Sequence, residues 1–213
     1  MSRRVYVLVL GLLSLSSPAA TASSEETGPV RGWTFDRLDG TAVAESTGGG
    51  LSAAVDGAVC VEGIVDGALA FDGRDDSVLL GDVGKFQNTT VAFWMKADNV
   101  EKDDWQGLVT SDAWEEGVFH VDLRAGHIEA VLHLGEARRA RLSSTPIKNG
   151  TWYHVALVAD RRRHMIRLLV NGQEQDSAGY PRTLAAIQLV RQVAGREFDG
   201  SRFSRHFAGA IDD

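Results

Sequence analysis

The sequence has 213 residues, with 22 Lys and Arg against 29 Asp and Glu and a formal net charge of -7 at pH 7. This length allows one large β domain or two small ones. The acidic balance argues against nucleic acid or an anionic membrane as a partner, because binding to phosphate requires clustered Lys and Arg. The single cysteine, Cys60, cannot form an internal disulfide, and we expect it to be a small buried or half-buried apolar residue.

The first 22 residues have the pattern of an export signal. Arg3 and Arg4 precede an apolar run, and Ala20-Thr21-Ala22 is a small-residue cleavage site. The run is too short to span a bilayer, and no later stretch approaches the roughly 20 residues that a transmembrane helix needs. We therefore expect a signal peptide over 1–22 and a secreted or periplasmic/extracellular protein that begins near Ser23 and has no transmembrane segment. Loss of the two arginines makes the expected net charge -9, from 20 positive and 29 negative side chains.

Short apolar runs of strand length follow the signal, separated by turns rich in Gly, Asn and Asp. This pattern predicts an all-β chain, and a dozen strands are too many for one open sheet that does not split into two layers. No linker divides the runs, so we predict a polar leader over 23–31 and one domain over 32–213. In chain order the runs are GWTFD, GALAFDG, SVLLG, TTVAFWMKA, QGLVTS, GVFHVDLRAG, HIEAVLHLG, ARLSST, TWYHVALVAD, MIRLLVNGQEQ, IQLVRQVAG and RHFAGAID.

Turn residues between the runs predict how they connect. GALAFDG and SVLLG are expected to pair as a hairpin around Asp72-Gly73, and the Gly/Ala-rich segment 44–58 is expected to be a surface loop. Residues 124–126 predict a three-residue turn, Asn171-Gly172 a two-residue turn, and the basic run DRRRH at 160–164 a solvated turn.

Other features of the sequence predict how deeply particular strands and side chains are buried. YHVALVA is expected to be a central strand buried on both faces, and HIEAVLHL a half-exposed one. Trp94 and Trp152 are large enough to fill the space between two sheets. His154 is expected to be a core histidine, with a catalytic or metal-binding role as the alternative.

Six motifs in order resemble the laminin G-like group of concanavalin A-like lectin/glucanase domains, and the resemblance covers about residues 32–213. It implies a concanavalin A-like jelly roll, a β-sandwich of two antiparallel sheets found in secreted or cell-surface proteins. Domains of this group usually continue beyond the Ile-Asp-Asp motif, so we expect either that the last strand is cut short or that the sequence is a fragment. The motifs are GWTFD, VDGALAFDGRDDSVLLG, TTVAFWMKAD, NGTWYHVALVAD, LLVNGQ and FAGAIDD.

Glucan hydrolases share this fold, and they need two carboxylates that face one sugar bond. The Glu-x-Asp-x-x-Glu motif of the hydrolase relatives does not occur in the sequence. Asp122 and Glu129 fall on neighbouring predicted strands, but each is interpreted as isolated. We therefore predict a non-catalytic protein, with a hydrolase or a degenerate hydrolase of the same fold as the alternative.

The resemblance also implies a structural calcium ion where the first and last strands meet. The matching positions are Asp36 and the terminal Asp212 or Asp213. Calcium prefers hard oxygen ligands such as these carboxylates. The alternative is that they are solvated charges at strand ends. The six histidines lack the spacing of a zinc site.

Two tryptophans stand among charged residues, Trp105 in KDDWQG and Trp114 in SDAWEEG. Carbohydrate sites combine an aromatic face with a few fixed polar groups. Trp105 and Trp114 are therefore candidate ligand-binding residues, although each could instead pack under its own loop, and they flank opposite ends of one strand. The resulting hypothesis is a recognition module for glycans or extracellular proteins, with a structural or adhesive module lacking a small ligand as a further alternative.

Overall fold

The computed structural model describes residues 29–198 and 203–213. The predicted signal peptide and most of the polar leader lie outside these residues. Within them the chain forms 19 strands and no helix. The predicted all-β class is confirmed.

The first large sheet has eight antiparallel strands in the order β1-β2-β5-β16-β8-β9-β10-β11. Its strands are β1 Ala42–Val43, β2 Ala53–Asp56, β5 Ser77–Gly81, β8 Gln106–Ser111, β9 Phe119–Arg124, β10 His127–His133, β11 Arg139–Ser143 and β16 Gln192–Ala194.

The second large sheet has seven antiparallel strands in the order β14-β13-β12-β7-β19-β4-β3. Two short ribbons complete the fold, β6 with β15 and β17 with β18. The seven strands are β3 Val59–Glu62, β4 Gly67–Asp72, β7 Thr89–Ala97, β12 Trp152–Asp160, β13 Met165–Val170, β14 Gln173–Gly179 and β19 Ala208–Asp212. The ribbons are formed by β6 Gly84–Phe86, β15 Ile187–Leu189, β17 Glu197–Phe198 and β18 Phe203–Ser204.

The two sheets enclose one hydrophobic core, because alternate residues of each strand point to the same face. Phe93 and Met95 of β7 face the core from the seven-stranded sheet, and Phe119, Val121 and Leu123 of β9 face it from the eight-stranded sheet. This arrangement confirms the predicted two-sheet jelly-roll β-sandwich.

The predicted first strand is wrong. GWTFD is not part of a sheet, yet Trp33 and Phe35 are both buried in the core, and the indole N–H of Trp33 donates to the carbonyl of Leu51 at 3.0 Å. Phe35 has φ 52°, a left-handed conformation that interrupts an extended strand. The apolar pattern of GWTFD therefore indicates that its residues are buried, and it does not indicate that they pair in a sheet.

Two further connections differ from expectation. Strand β2 lies inside the predicted loop 44–58, and its alternate residues Ala53 and Val55 are buried. Strands β4 and β5 do not form a hairpin, because β4 pairs with β3 and β19 while β5 pairs with β2 and β16. The residues between them cross from one sheet to the other. The turn residues Asp72-Gly73 do not distinguish such a crossing from a hairpin.

The hairpin turns are short. Asn171-Gly172 is confirmed as a two-residue turn, since Val170 pairs with Gln173, and residues 161–164 form the expected turn. The turn between β9 and β10 is also a two-residue turn, because Arg124 pairs with His127. The prediction of three residues there is wrong.

The outer face of the seven-stranded sheet carries residues that were expected inside. Because Phe93 and Met95 face the core, Trp94 points outward, and His154 lies opposite it across β7 and β12. Trp152 lies opposite Lys96 on the same outer face. These positions correct the predictions that the two tryptophans fill the inter-sheet space and that His154 is a core residue. Cys60 on β3 is exposed, which corrects its predicted burial.

Candidate functional site

A cavity of about 450 Å³ lies on the outer face of the eight-stranded sheet. In β9 the core residues alternate with His120 and Asp122, which therefore point to the opposite face. The cavity is lined by Trp105, Trp114, His120, Asp122, Val131, His133, Arg139, Arg141, Glu197 and Arg205.

Strand register builds the floor of this cavity. His120 of β9 lies opposite Val131 of β10, and Val131 lies opposite Arg141 of β11. His133 and Arg139 form the next outward-facing pair between β10 and β11. Three neighbouring strands therefore place a row of polar side chains on one face. The prediction that β10 is half-exposed is wrong for its second half, where Val131 and His133 are buried at 7% and 5% exposure.

The ribbon of β17 and β18 covers one side of the cavity, and Gly107 of β8 allows its approach. A Cβ at position 107 would lie 2.3 Å from the carbonyl carbon of Arg196 and 2.7 Å from the backbone nitrogen of Glu197. The Gly107 N–H donates to the carbonyl of Arg205 at 2.8 Å. Gly107 pairs with Asp122 across β8 and β9, so the ribbon places Glu197 and Arg205 beside Asp122.

Aromatic side chains form a wall of the cavity. The Trp114 ring stacks on His120 at a centroid distance of 4.5 Å and meets His133 edge-on at 4.9 Å. The Arg139 guanidinium lies 5.8 Å from the Trp114 ring centroid, within reach of a cation–π interaction. Trp105 has a similar contact with Arg124 at 5.0 Å.

Buried ionisable groups form a network under the cavity. Glu197 is hydrogen-bonded to Arg205, and its second carboxylate oxygen lies 3.4 Å from Nδ1 of His120. Nε2 of His120 lies 3.2 Å from the carbonyl oxygen of Ala113 and donates to it. His120, Asp122 and Glu197 are exposed by only 1%, 1% and 3%. Burying such groups disfavours their charged forms, so this cluster is costly for the fold and marks a candidate functional site.

The protonation states follow from burial and from neighbouring charges. Burial raises the pKa of Asp122 well above its usual range, and the nearby charge of Glu197 adds to the effect. Burial lowers the pKa of His120 to about 3, with the charge of His133 acting in the same direction. Burial, followed by the charges of Arg139 and Arg141, lowers the pKa of His133 to about 4. Near neutral pH the two histidines are therefore uncharged, whereas burial shifts Asp122 toward its protonated form.

Both predicted ligand-binding residues line this cavity. Trp105 and Trp114 lie beyond opposite ends of β8, as the sequence indicates, and they contribute to the same cavity.

Asp122 and Glu129 are not isolated, because they lie directly opposite each other across β9 and β10. Most of the residues that form the floor of the cavity were not predicted from the sequence. The i, i+2 spacing of His120 and Asp122 within an apolar strand is the signal that could have found it.

The predicted calcium ligands lie in a different part of the molecule. Asp36 accepts a hydrogen bond from the Gly67 N–H at 3.0 Å. One oxygen of Asp212 accepts from the Ile64 and Val65 N–H groups at 2.7 and 3.0 Å. Asp36 and Asp212 thus hold the same β3–β4 turn.

These carboxylates are not solvated strand-end charges, since Asp212 and Asp213 are 0% and 1% exposed. The other oxygen of Asp212 accepts from the Asp213 N–H at 2.7 Å. The oxygen donors are of the kind that calcium prefers, but those of Asp212 already accept backbone hydrogen bonds. A shared calcium ion at Asp36, Asp212 and Asp213 stays a prediction.

In the described part of the chain, no helix is long and apolar enough to cross a membrane. Residues 72–213 match a laminin G family described as the concanavalin A-like lectin/glucanases superfamily. No curated protein matches the sequence.

Several solved structures share the fold at low sequence identity. The binding domain of Paraclostridial Mosquitocidal Protein 1 is 14% identical with a TM-score of 0.65, covering 97% of this chain and 47% of that one. The ligand binding domain of botulinum neurotoxin serotype D, in complex with N-acetylneuraminic acid, is 16% identical with a TM-score of 0.64, covering 86% and 46%. The serotype G binding domain is 12% identical with a TM-score of 0.62, covering 86% and 46%. The chain therefore spans just under half the length of these structures.

Proposed function

Since the chain belongs to the concanavalin A-like lectin/glucanases superfamily, we propose that it is a secreted, non-catalytic recognition module whose cavity binds a glycan. One observation carries this proposal: Trp105 and Trp114 line a single cavity whose floor includes the buried polar side chains of His120, Asp122 and His133. Binding sites typically combine aromatic surface with a few fixed polar groups in a space of about 300–1,000 Å³. A cavity of about 450 Å³ is in that range.

Two further points support the proposal. The sequence pattern of residues 1–22 favours export to a compartment where glycans are exposed. The fold is also shared with a neurotoxin domain solved in complex with N-acetylneuraminic acid.

The test is glycan-array screening of the mature protein, followed by calorimetry with the glycans that bind. Trp105→Ala is expected to weaken binding about tenfold or more, since loss of a central aromatic contact typically costs more than about 1 kcal/mol. Trp152→Ala removes a tryptophan from the outer face of the other sheet and is expected to leave the affinity unchanged. A protein that binds no glycan on the array, but binds extracellular proteins, would overturn the proposal in favour of an adhesive module.

A second candidate function is cleavage of a glycosidic bond. It is favoured by the two carboxyl groups of Asp122 and Glu197, which line the same cavity in different environments. Burial raises the pKa of Asp122, whereas Glu197 is paired with Arg205, and two carboxyl groups in such different environments are typical of acid/base pairs. Release of reducing ends from a bound polysaccharide, abolished by Asp122→Asn, would establish this activity. Binding without release, which we expect, would support a recognition module.

A further inference from the structure

We propose that the cavity selects a glycan bearing a carboxylate, and that Arg139 and Arg141 recognise this group. The inference rests on the proposed glycan-binding function and specifies the chemical class of the ligand. It depends on the position of these two arginines, the lack of a carboxylate partner for them in the described part of the chain, and the sugar-sized aromatic surface beside them.

The two arginines lie on the rim of the cavity. Strand β11 forms one edge of the eight-stranded sheet. Its residues Ala140 and Leu142 are buried in the core, so Arg139 and Arg141 project together from the outer face. Both side chains are exposed and line the cavity. A ligand that enters from solvent therefore meets two guanidinium groups on the same face of β11.

Other arginines near the cavity already have carboxylate partners. Arg205 pairs with Glu197, Arg124 with Asp103, and Arg196 with Asp112. Within residues 29–198 and 203–213, no carboxylate lies within 4.0 Å of the guanidinium of Arg139 or Arg141. Their positive charges are therefore available to an anionic ligand.

The charge of the cavity contrasts with that of the whole protein. Arg139, Arg141 and Arg205 contribute three positive charges to the lining, against the two carboxyl groups of Asp122 and Glu197. Glu197 is bound to Arg205, so the lining is net positive in either protonation state of Asp122. A positive cavity in a chain of net charge -7 attracts a small anionic group, while the acidic remainder repels long polyanions such as nucleic acid.

The geometry favours a sugar carboxylate over a bare anion. A guanidinium group presents a planar fork of N–H donors that matches a carboxylate. The Arg139 guanidinium lies beside the Trp114 ring, so an apolar ring face and a carboxylate receptor adjoin each other. A uronic acid or a sialic acid carries both the ring and the carboxylate.

The experiment is calorimetry on the mature protein with probes matched in structure. 3′-Sialyllactose is compared with lactose, and trigalacturonate with its methyl ester. At least one acidic probe is expected to bind about tenfold or more tightly than its neutral counterpart, with affinity falling as salt concentration rises. A disaccharide carrying sulfate and no carboxylate tests whether the negative charge alone is sufficient, and we expect it to bind more weakly than the acidic probe.

Variants assign the effect to the two arginines. Arg139→Gln and Arg141→Gln together are expected to abolish the preference for the acidic probe. Arg139→Lys keeps the charge but loses the fork and is expected to reduce the preference in part. Arg162→Gln, in the exposed turn after β12, removes an equal charge outside the cavity and should have no effect. The three residues replaced are all exposed, so circular dichroism is expected to show an unchanged fold.

Each contrary outcome is distinguishable. If neutral glycans bind as tightly as acidic ones and the double variant behaves like the wild type, the inference is wrong while the proposed function stands. Preference for the sulfated probe alone would overturn recognition of a carboxylate. If no glycan of the array or the panel binds, the proposed function and the inference both fail.

Discussion

The outer faces of the two large sheets differ in how deeply their polar side chains are buried. On the seven-stranded sheet, Trp94 packs against His154, and Lys96 lies over the ring of Trp152. These are contacts between partly exposed neighbours across two strands. On the eight-stranded sheet, His120 and Asp122 are almost completely buried under a tryptophan and a separate ribbon. The comparison shows that a covered sheet face, rather than a polar sheet face as such, creates the candidate site.

Two buried carboxylates show the same contrast. Asp212, at the seven-stranded sheet, accepts three backbone N–H hydrogen bonds. One oxygen of Asp122, at the eight-stranded sheet, has no hydrogen-bond partner in the described part of the chain. A fully bonded buried carboxylate stabilises local structure, whereas a buried carboxyl group with an unpaired oxygen is costly for the fold, as is typical of functional sites.

The largest effect is expected from Gly107→Ala. The added Cβ would overlap the backbone of Arg196, so the ribbon must move away from the sheet. We expect a loss of about 1–3 kcal/mol of stability, typical of overpacking, together with weakened glycan binding. Gly179→Ala, in the seven-stranded sheet, is the control, because the nearest atom to its added Cβ is at 3.8 Å. Equal denaturation midpoints for the two variants would show that the ribbon does not depend on Gly107.

Asp122→Asn tests the buried carboxyl of the covered face. The folded-state pKa of Asp122 is raised, so its favourable contribution is present below the unfolded pKa of about 4 and is lost as pH rises. The Asn variant cannot ionise, and its melting temperature relative to the wild type is expected to increase from pH 4 to pH 8. A gain of about 1 kcal/mol would appear as about 2–4 °C. A difference between the two proteins that stays constant from pH 4 to pH 8 would contradict the raised pKa of Asp122.

Calcium addition tests the carboxylates at the other sheet. We expect calcium to raise the melting temperature and a chelator to lower it, because an ion bound only by the native state stabilises that state. At one hundred times the dissociation constant the gain is about 2.7 kcal/mol. Replacing Asp36 and Asp212 by Ala should remove the difference. Identical melting curves of the wild type with and without calcium would contradict the calcium site. The carboxylates would then act only as acceptors of backbone hydrogen bonds.

The smallest effect is expected from Cys60→Ser on the edge strand β3. The residue is exposed, and exposed substitutions away from special contacts usually change stability by less than about 0.5 kcal/mol. The native wild type should also react fully with a thiol reagent. Slow labelling, or a larger loss of stability in the Ser variant, would mean that this edge is covered in solution.

The sequence predicts the fold more completely than the site, for a physical reason. Alternation along TTVAFWMKA or MIRLLV reports which residues of a strand are buried, and it identified these strands correctly. It does not report which strands pair, so GALAFDG and SVLLG were assigned to one hairpin although they belong to different sheets. GWTFD shows that burial can occur outside a strand.

The site depends on contacts between residues far apart in the chain. Trp105 and Trp114 could be predicted because aromatic side chains among charges are conspicuous in the sequence. Glu197 and Arg205 reach Asp122 only because a distant ribbon crosses Gly107. Neither local pattern nor composition contains that information. The positive character of the cavity likewise arises because the fold brings Arg139, Arg141 and Arg205 to one site, while the overall composition is acidic.

The most direct test of this account is a crystal structure of the mature protein with a bound acidic oligosaccharide. We predict density for a sugar ring between Trp105 and Trp114, with its carboxylate within hydrogen-bond distance of Arg139 or Arg141. Density over Trp94 and Trp152 on the other sheet, with the cavity filled only by water, would contradict the assignment of the site.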